Sequence, residues 1–145
     1  MIKIICFGKI KEQYLKDLID DYSKRINKYL KLEIIELKDN DNIKIETSEV
    51  LNVINKKDYN IALCINGKSY TSMDLAQHID KLFNYNSTIT FIIGGSNGLE
   101  TSVTNLCNEC LSFSNLTFPH GLFRGILLEQ IYRVLKINNN ETYHK

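Results

Sequence analysis

The chain reads as an α/β domain, a mostly parallel sheet with helices on both faces. Three observations predict this. The runs Ile61–Ile65 (IALCI) and Ile89–Ile93 (ITFII, with Thr90) do not alternate apolar with polar, as strands buried on both faces of a parallel sheet require. Stretches with apolar residues at helical spacing separate the strand candidates, giving an order β-α-β-α-β-α-β-α-β-α. The chain's one glycine cluster, Gly94, Gly95 and Gly98, follows Ile93 at once. It therefore sits at the carboxyl end of a strand, where ligands bind in open α/β sheets. At 145 residues this is one domain, residues 1–145, long enough to bury a proper core.

Lys3–Phe7 is the first strand, closed by Gly8. Across Glu12–Leu30, the residues Leu15, Leu18, Ile19, Tyr22, Ile26 and Tyr29 form one helical stripe. Leu32–Leu37 is the second strand, Asp39–Ile45 is turn-like, and Ser48–Asn55 reads as a short helix. The strand Ile61–Ile65 ends in Asn66-Gly67, a turn pair. Thr71–Phe83 is a helix that Thr71 or Ser72 can cap, with Asp74 at the positive end of its dipole. After Ile89–Ile93, the positions Leu99, Val103, Leu106, Cys107 and Cys110 fall on one helical stripe. Leu111–Phe118 is a strand running into a loop, Pro119 suits a first helical turn, and Leu122–Ile137 is the last helix.

Composition removes several function classes. The 18 basic and 17 acidic residues leave a net charge of +1, so any RNA contact must come from a local patch or a dimer surface. No leading apolar run is long enough for a signal peptide or a membrane span, so a cytoplasmic protein is expected. Cys6, Cys64, Cys107 and Cys110 read as reduced core thiols. The pair Cys107–Cys110 falls inside a helical pattern, and His78, His120 and His144 are scattered, so no metal site is expected. The GGSNG loop lacks the lysine and hydroxyl of a P-loop and the spaced glycines of a dinucleotide site. Alone it is an ordinary strand-to-helix turn.

The last helix carries two of the three arginines. At 100° per residue, Glu129, Gln130, Arg133 and Lys136 share a polar side. Arg124 falls instead among Leu127, Leu128, Ile131 and Leu135, where an unpaired guanidinium costs several kcal/mol in order-of-magnitude terms. A structural ion pair and a phosphate or substrate contact fit that position equally. Arg133 lies four residues after Glu129, the spacing of a helix-surface ion pair. Apolar residues over more than half the helix, Leu122, Ile126, Tyr132 and Ile137 included, point to a helical dimer interface.

Taken together, IIGGSNG, LSFSNLTFPH, R-x-x-L-x-EQ-x-YR and the terminal YHK closely resemble the small SPOUT-class methyltransferases of the α/β-knot superfamily. The match is to the bacterial branch that methylates N3 of a pseudouridine in 23S ribosomal RNA. It spans essentially the whole chain, including Phe7-Gly8-Lys9 and the segment Leu63, Ile65, Gly67, Lys68. Two departures stand out: Lys38–Val50 is shorter than the family pattern, and Gly125 stands where a larger apolar residue is expected.

The resemblance implies a sheet whose C-terminal segment forms a deep trefoil knot, a topology that general rules of chain threading would have rejected. It also implies S-adenosylmethionine as cofactor, held by Leu63, Gly94, Phe113, Ser114, Asn115, Leu116, Thr117 and Phe118. The family arrangement is a homodimer in which the tail of one subunit completes the cofactor pocket of the other. That brings Tyr143 and His144 to the target base with Arg133 in support, while Arg124 and His120 flank the knot as candidate RNA contacts. The near-neutral charge favours 23S rRNA within the assembled ribosome over naked RNA. The alternatives are a same-fold enzyme acting on another RNA such as tRNA, and a non-catalytic dimeric binding module.

Overall fold

The computed structural model describes residues 1–145. Strands β1 (Ile2–Phe7), β2 (Leu32–Leu37), β3 (Tyr59–Ser69), β4 (Ile89–Ile93) and β5 (Glu109–Ser112) form one sheet in the order β2-β1-β4-β3-β5. Every pairing is parallel. The helices are α1 (Gln13–Asn27), α2 (Ile43–Val53), α3 (Ser72–Phe83), α4 (Thr101–Thr104) and α5 (His120–Asn138).

Successive strand side chains point to opposite faces, and the core divides accordingly. Ile2, Ile4 and Cys6 of β1, with Phe91 and Ile93 of β4, pack under α1, α3 and α5. Ile5, Phe7 and Ile92 pack with Val50 of α2 and Val103 of α4 on the other face. Both faces are covered, which is why these strands read as unbroken apolar runs. Helix α5 lies against α1 and α3. Gly125 makes the approach to α1 possible: a Cβ there would lie 2.5 Å from Leu18 Cδ2. The helix cost of about 1 kcal/mol for glycine is set against that close packing.

Several local expectations change. Helix α2 begins at Ile43, inside the segment expected to be turn, because Asn42 caps it by accepting from the Lys44 amide at 2.9 Å. Thr71 caps α3 as expected, accepting from the Asp74 amide. Asn66-Gly67 is not a turn ending β3. Leu63 and Lys68 both pair with Leu111, so the intervening residues bulge from a strand that runs on to Ser69. The helical stripe through Cys110 is cut short: α4 is a single turn, and Cys110 belongs to β5. Asn60 and Asn108 tie the chain to β3 through two hydrogen bonds of 2.7 and 2.8 Å, and strand pairing overrides the helical spacing. Pro119 is the N-cap of α5 rather than a residue of its first turn.

All four cysteines are free. Burial pushes Cys6 and Cys107 up to about 11 and Cys64, beside Cys110, up to about 12. At these three positions the thiol is a poor nucleophile and behaves as a packing group. No group of three or more His, Cys, Asp or Glu side chains converges as a metal site, and no helix is long and apolar enough to cross a membrane.

Candidate cofactor cleft and C-terminal tail cluster

A cleft of about 160 Å³ opens where β4 and β5 end and β3 begins to bulge. Its floor is Leu63, Ile93 and Leu111, and its walls are the glycine loop and the segment Phe113–Phe118. In the glycine loop the Gly98 amide donates to the Gly95 carbonyl at 2.9 Å, and Gly98 has φ +74°. The loop closes so tightly that a Cβ on Gly94 would lie 2.6 Å from the Gly98 carbonyl carbon. The buried Glu46 carboxylate packs beneath Gly95, and its Oε2 accepts from the Asn40 amide at 3.0 Å.

The opposite wall is built differently. Phe113–Phe118 make no backbone-to-backbone hydrogen bond. Only local side-chain contacts shape them: Ser114 Oγ accepts from the Leu116 amide at 3.0 Å, and Ser112 Oγ donates to the Ser114 carbonyl at 3.2 Å. Backbone groups normally find partners, so a run of free donors and acceptors beside an apolar cleft is suited to a flat heteroaromatic ligand with a polar edge. Phe118 and Phe123 are stacked within 11° at 6.0 Å, and Phe113 meets Phe123 edge-on at 5.3 Å.

Of the expected cofactor residues, Leu63, Gly94, Phe113, Ser114, Leu116, Thr117 and Phe118 line the cleft. Asn115 is exposed and does not. Sequence reasoning missed Phe123 and Ile65. Phe123 looks like any apolar residue of a buried helix, and Ile65 reaches the cleft only because β3 bulges there.

Arg133, Tyr143 and His144 also come together, but apart from the cleft, and none of them lines it. Arg133 Nε and Nη2 both donate to Glu129 Oε1, at 3.1 and 2.5 Å. Tyr143 donates its hydroxyl to the same oxygen at 3.0 Å and lies 3.3 Å from the Tyr22 hydroxyl. Burial, then the Tyr22 and Glu129 contacts, raise the Tyr143 phenol well above its ordinary value, so it is a donor and not a base. The Glu129 hydrogen bond likewise holds Arg133 firmly protonated. Arg133 Nη1 lies 3.1 Å from His144 Nδ1. A guanidinium cannot accept, so Nδ1 is the acceptor and the neutral ring carries its proton on Nε2.

The two candidate RNA contacts fare otherwise. Arg124 is only 2% exposed, and its guanidinium is committed to Glu36 Oε2 at 2.6 Å and to the Phe7 and Gly8 carbonyls at 3.1 and 3.0 Å. Of its two readings, the geometry is that of the ion pair; the one unpartnered nitrogen, Nε, is buried away from the surface where a phosphate would approach. His120 is exposed, but it shares its cavity with Asp39 and Asp41, whose charges repel phosphate. Tyr132, expected on an outward interface, is buried against Tyr22, Tyr29 and Tyr143 within the chain. Leu122 remains exposed, with Ile126 and Ile137 half-buried.

A parallel α/β sheet covered on both faces, with a glycine-loop cleft at the carboxyl ends of β4 and β5, is the architecture of a small ligand-binding α/β domain. The family profile described as "Predicted SPOUT methyltransferase" matches residues 1–144. The chain belongs to the SPOUT methyltransferase family. It is 48% identical to the ribosomal RNA large subunit methyltransferase H of Fusobacterium nucleatum, 49% to that of Clostridium novyi and 47% to that of Clostridioides difficile. Each comparison covers 99% of both chains.

Proposed function

We propose that this protein is an S-adenosylmethionine-dependent methyltransferase that modifies N3 of a pseudouridine in 23S rRNA, acting as a homodimer on the assembled ribosome. One observation carries the cofactor assignment: the Phe113–Phe118 segment, which makes no backbone-to-backbone hydrogen bond, lines an apolar aromatic cleft. The bound cofactor would supply an electrophilic methyl group on a sulfonium. Leu63, Gly94 and the Phe113–Phe118 segment would hold it, with Phe113, Phe118 and Phe123 providing aromatic surface for its adenine.

Transfer to N3 of the base also requires loss of the N3 proton and a fixed base geometry. With Nδ1 engaged by Arg133, His144 presents Nε2–H outward. It is therefore suited to orient the base by donating to a ring carbonyl. In this state Nε2 cannot take the proton, which passes to solvent or to a group on the RNA side. Because the tail cluster lies outside the cleft of its own chain, a dimer that sets one subunit's tail against the other's cleft explains how both act on one base. The exposed Leu122, with Ile126, is the surface assigned to that contact.

Calorimetric titration with S-adenosylmethionine, followed by methyl transfer to ribosomes lacking the modification, tests the proposal. Saturable binding and transfer to one pseudouridine are expected. Transfer to isolated tRNA in preference to ribosomes would overturn the substrate, and no cofactor binding by folded protein would overturn the enzyme.

A further inference from the structure

We propose that Glu129 is a positioning residue for this reaction, the carboxylate that sets Arg133, Tyr143 and, through Arg133, His144, and registers them against the wall of the cofactor cleft. The inference rests on the reading of cleft and tail given above. Neither Arg133 nor Tyr143 is held by backbone; both are held by Glu129 Oε1, which takes two donors from one and the hydroxyl of the other. The Arg133 guanidinium also lies 4.8 Å from the Tyr143 ring centroid. Fixing that guanidinium fixes His144 in turn, through the 3.1 Å contact between Nη1 and Nδ1.

The other carboxylate oxygen is tied to Gln130, away from the tail groups. Glu129 Oε2 accepts from Gln130 Nε2 at 2.9 Å, and Gln130 Oε1 accepts from Ser72 Oγ at 2.8 Å. Ser72 and Gln130 line a second cavity of about 240 Å³ whose remaining wall includes Leu111, Phe113 and Phe118. These three also line the cofactor cleft, so the aromatic wall has the cofactor side on one flank and the Gln130 relay on the other. A continuous chain of polar contacts thus runs His144–Arg133–Glu129–Gln130–Ser72. Glu129 is its branch point, and it does not itself line the cofactor cleft.

The test is steady-state methyl transfer by Glu129→Gln, Glu129→Asp, Arg133→Ala and the double variant Glu129→Gln/Arg133→Ala, beside calorimetry with S-adenosylmethionine and thermal melts. Glu129→Gln keeps the shape and loses the charge that gathers the donors. Its kcat is expected to fall about 100-fold, the scale of a misplaced reacting group, with cofactor affinity and melting temperature unchanged. Glu129→Asp is expected to recover part of the rate. The double variant is expected to be no slower than Arg133→Ala, because both substitutions break one unit. Wild-type rate in Glu129→Gln, or losses that multiply in the double variant, would overturn the positioning role alone. So would a fall in rate matched by a loss of cofactor affinity and melting temperature. A wild type that binds no cofactor and transfers no methyl group would overturn the underlying reading as well.

Discussion

The cleft and the tail cluster are built on opposite principles. The cleft depends on backbone path: a glycine loop closed on itself and a six-residue segment that makes no main-chain to main-chain hydrogen bond, over an apolar floor. The tail cluster is made of side chains, each tied by at least one hydrogen bond to Glu129 or Arg133. A backbone site tolerates side-chain change wherever the main-chain path survives. A side-chain site fails at single atoms. The lesson is that the cleft must be probed through its conformation and the tail through its functional groups.

Gly94→Arg should have the largest effect, because the Cβ alone would collide with the Gly98 backbone. Calorimetry should show at least about a 100-fold loss of cofactor affinity, or roughly 2.7 kcal/mol. An affinity within a few fold of wild type would mean that the glycine loop is not part of the cofactor site. Arg133→Ala should sharpen the contrast from the other side, lowering kcat by about 100-fold while the dissociation constant for cofactor stays within about twofold. Equal losses in both quantities would merge the two regions into one site.

Arg124→Met removes the partner of Glu36, whose side chain is 40% exposed and can be hydrated in its place. Breaking a buried pair costs about 3–5 kcal/mol when a charge is stranded, so about 2 kcal/mol is expected here and should appear in urea unfolding. Activity per folded molecule should hold; a selective loss of rRNA binding would restore Arg124 as a phosphate contact. The smallest effect concerns the tail's anchor. Glu141 is held below its ordinary carboxyl range by the Tyr29 hydroxyl and then by Lys136. A depressed carboxyl contributes its stability above the unfolded value and loses it as pH falls through the folded one. Tail resonances in NMR should therefore loosen below about pH 4.5, the unperturbed value, and not above it. A Tyr29→Phe variant should begin loosening at a higher pH than wild type.

Much of the fold was legible because burial leaves a local trace. Strands covered on both faces are apolar without alternation, and helices lying on a sheet carry one apolar stripe. The Ile89–Ile93 strand, the glycine turn after it and the long last helix could be read from those traces alone. The proposed cofactor residues and the expected knot came only from family resemblance. A backbone site has no side-chain signature of its own, and a knot leaves no local mark.

Tertiary structure decided what depends on partners far away in the chain. Arg124 could be an ion pair or a ligand contact until the β1–β2 edge brought Glu36 and the Phe7 and Gly8 carbonyls to it across the fold. Cys110 kept helical spacing yet entered β5, because pairing with β3 outweighs a single turn of helix. Gly125 had no local reason and found one in Leu18 of α1. Glu129 looked like half of a surface pair with Arg133 until the tail folded back and added Tyr143 to the same oxygen. Sequence pattern records whether a position faces core or solvent. Which group it meets there is set by chain topology, and no local period encodes it.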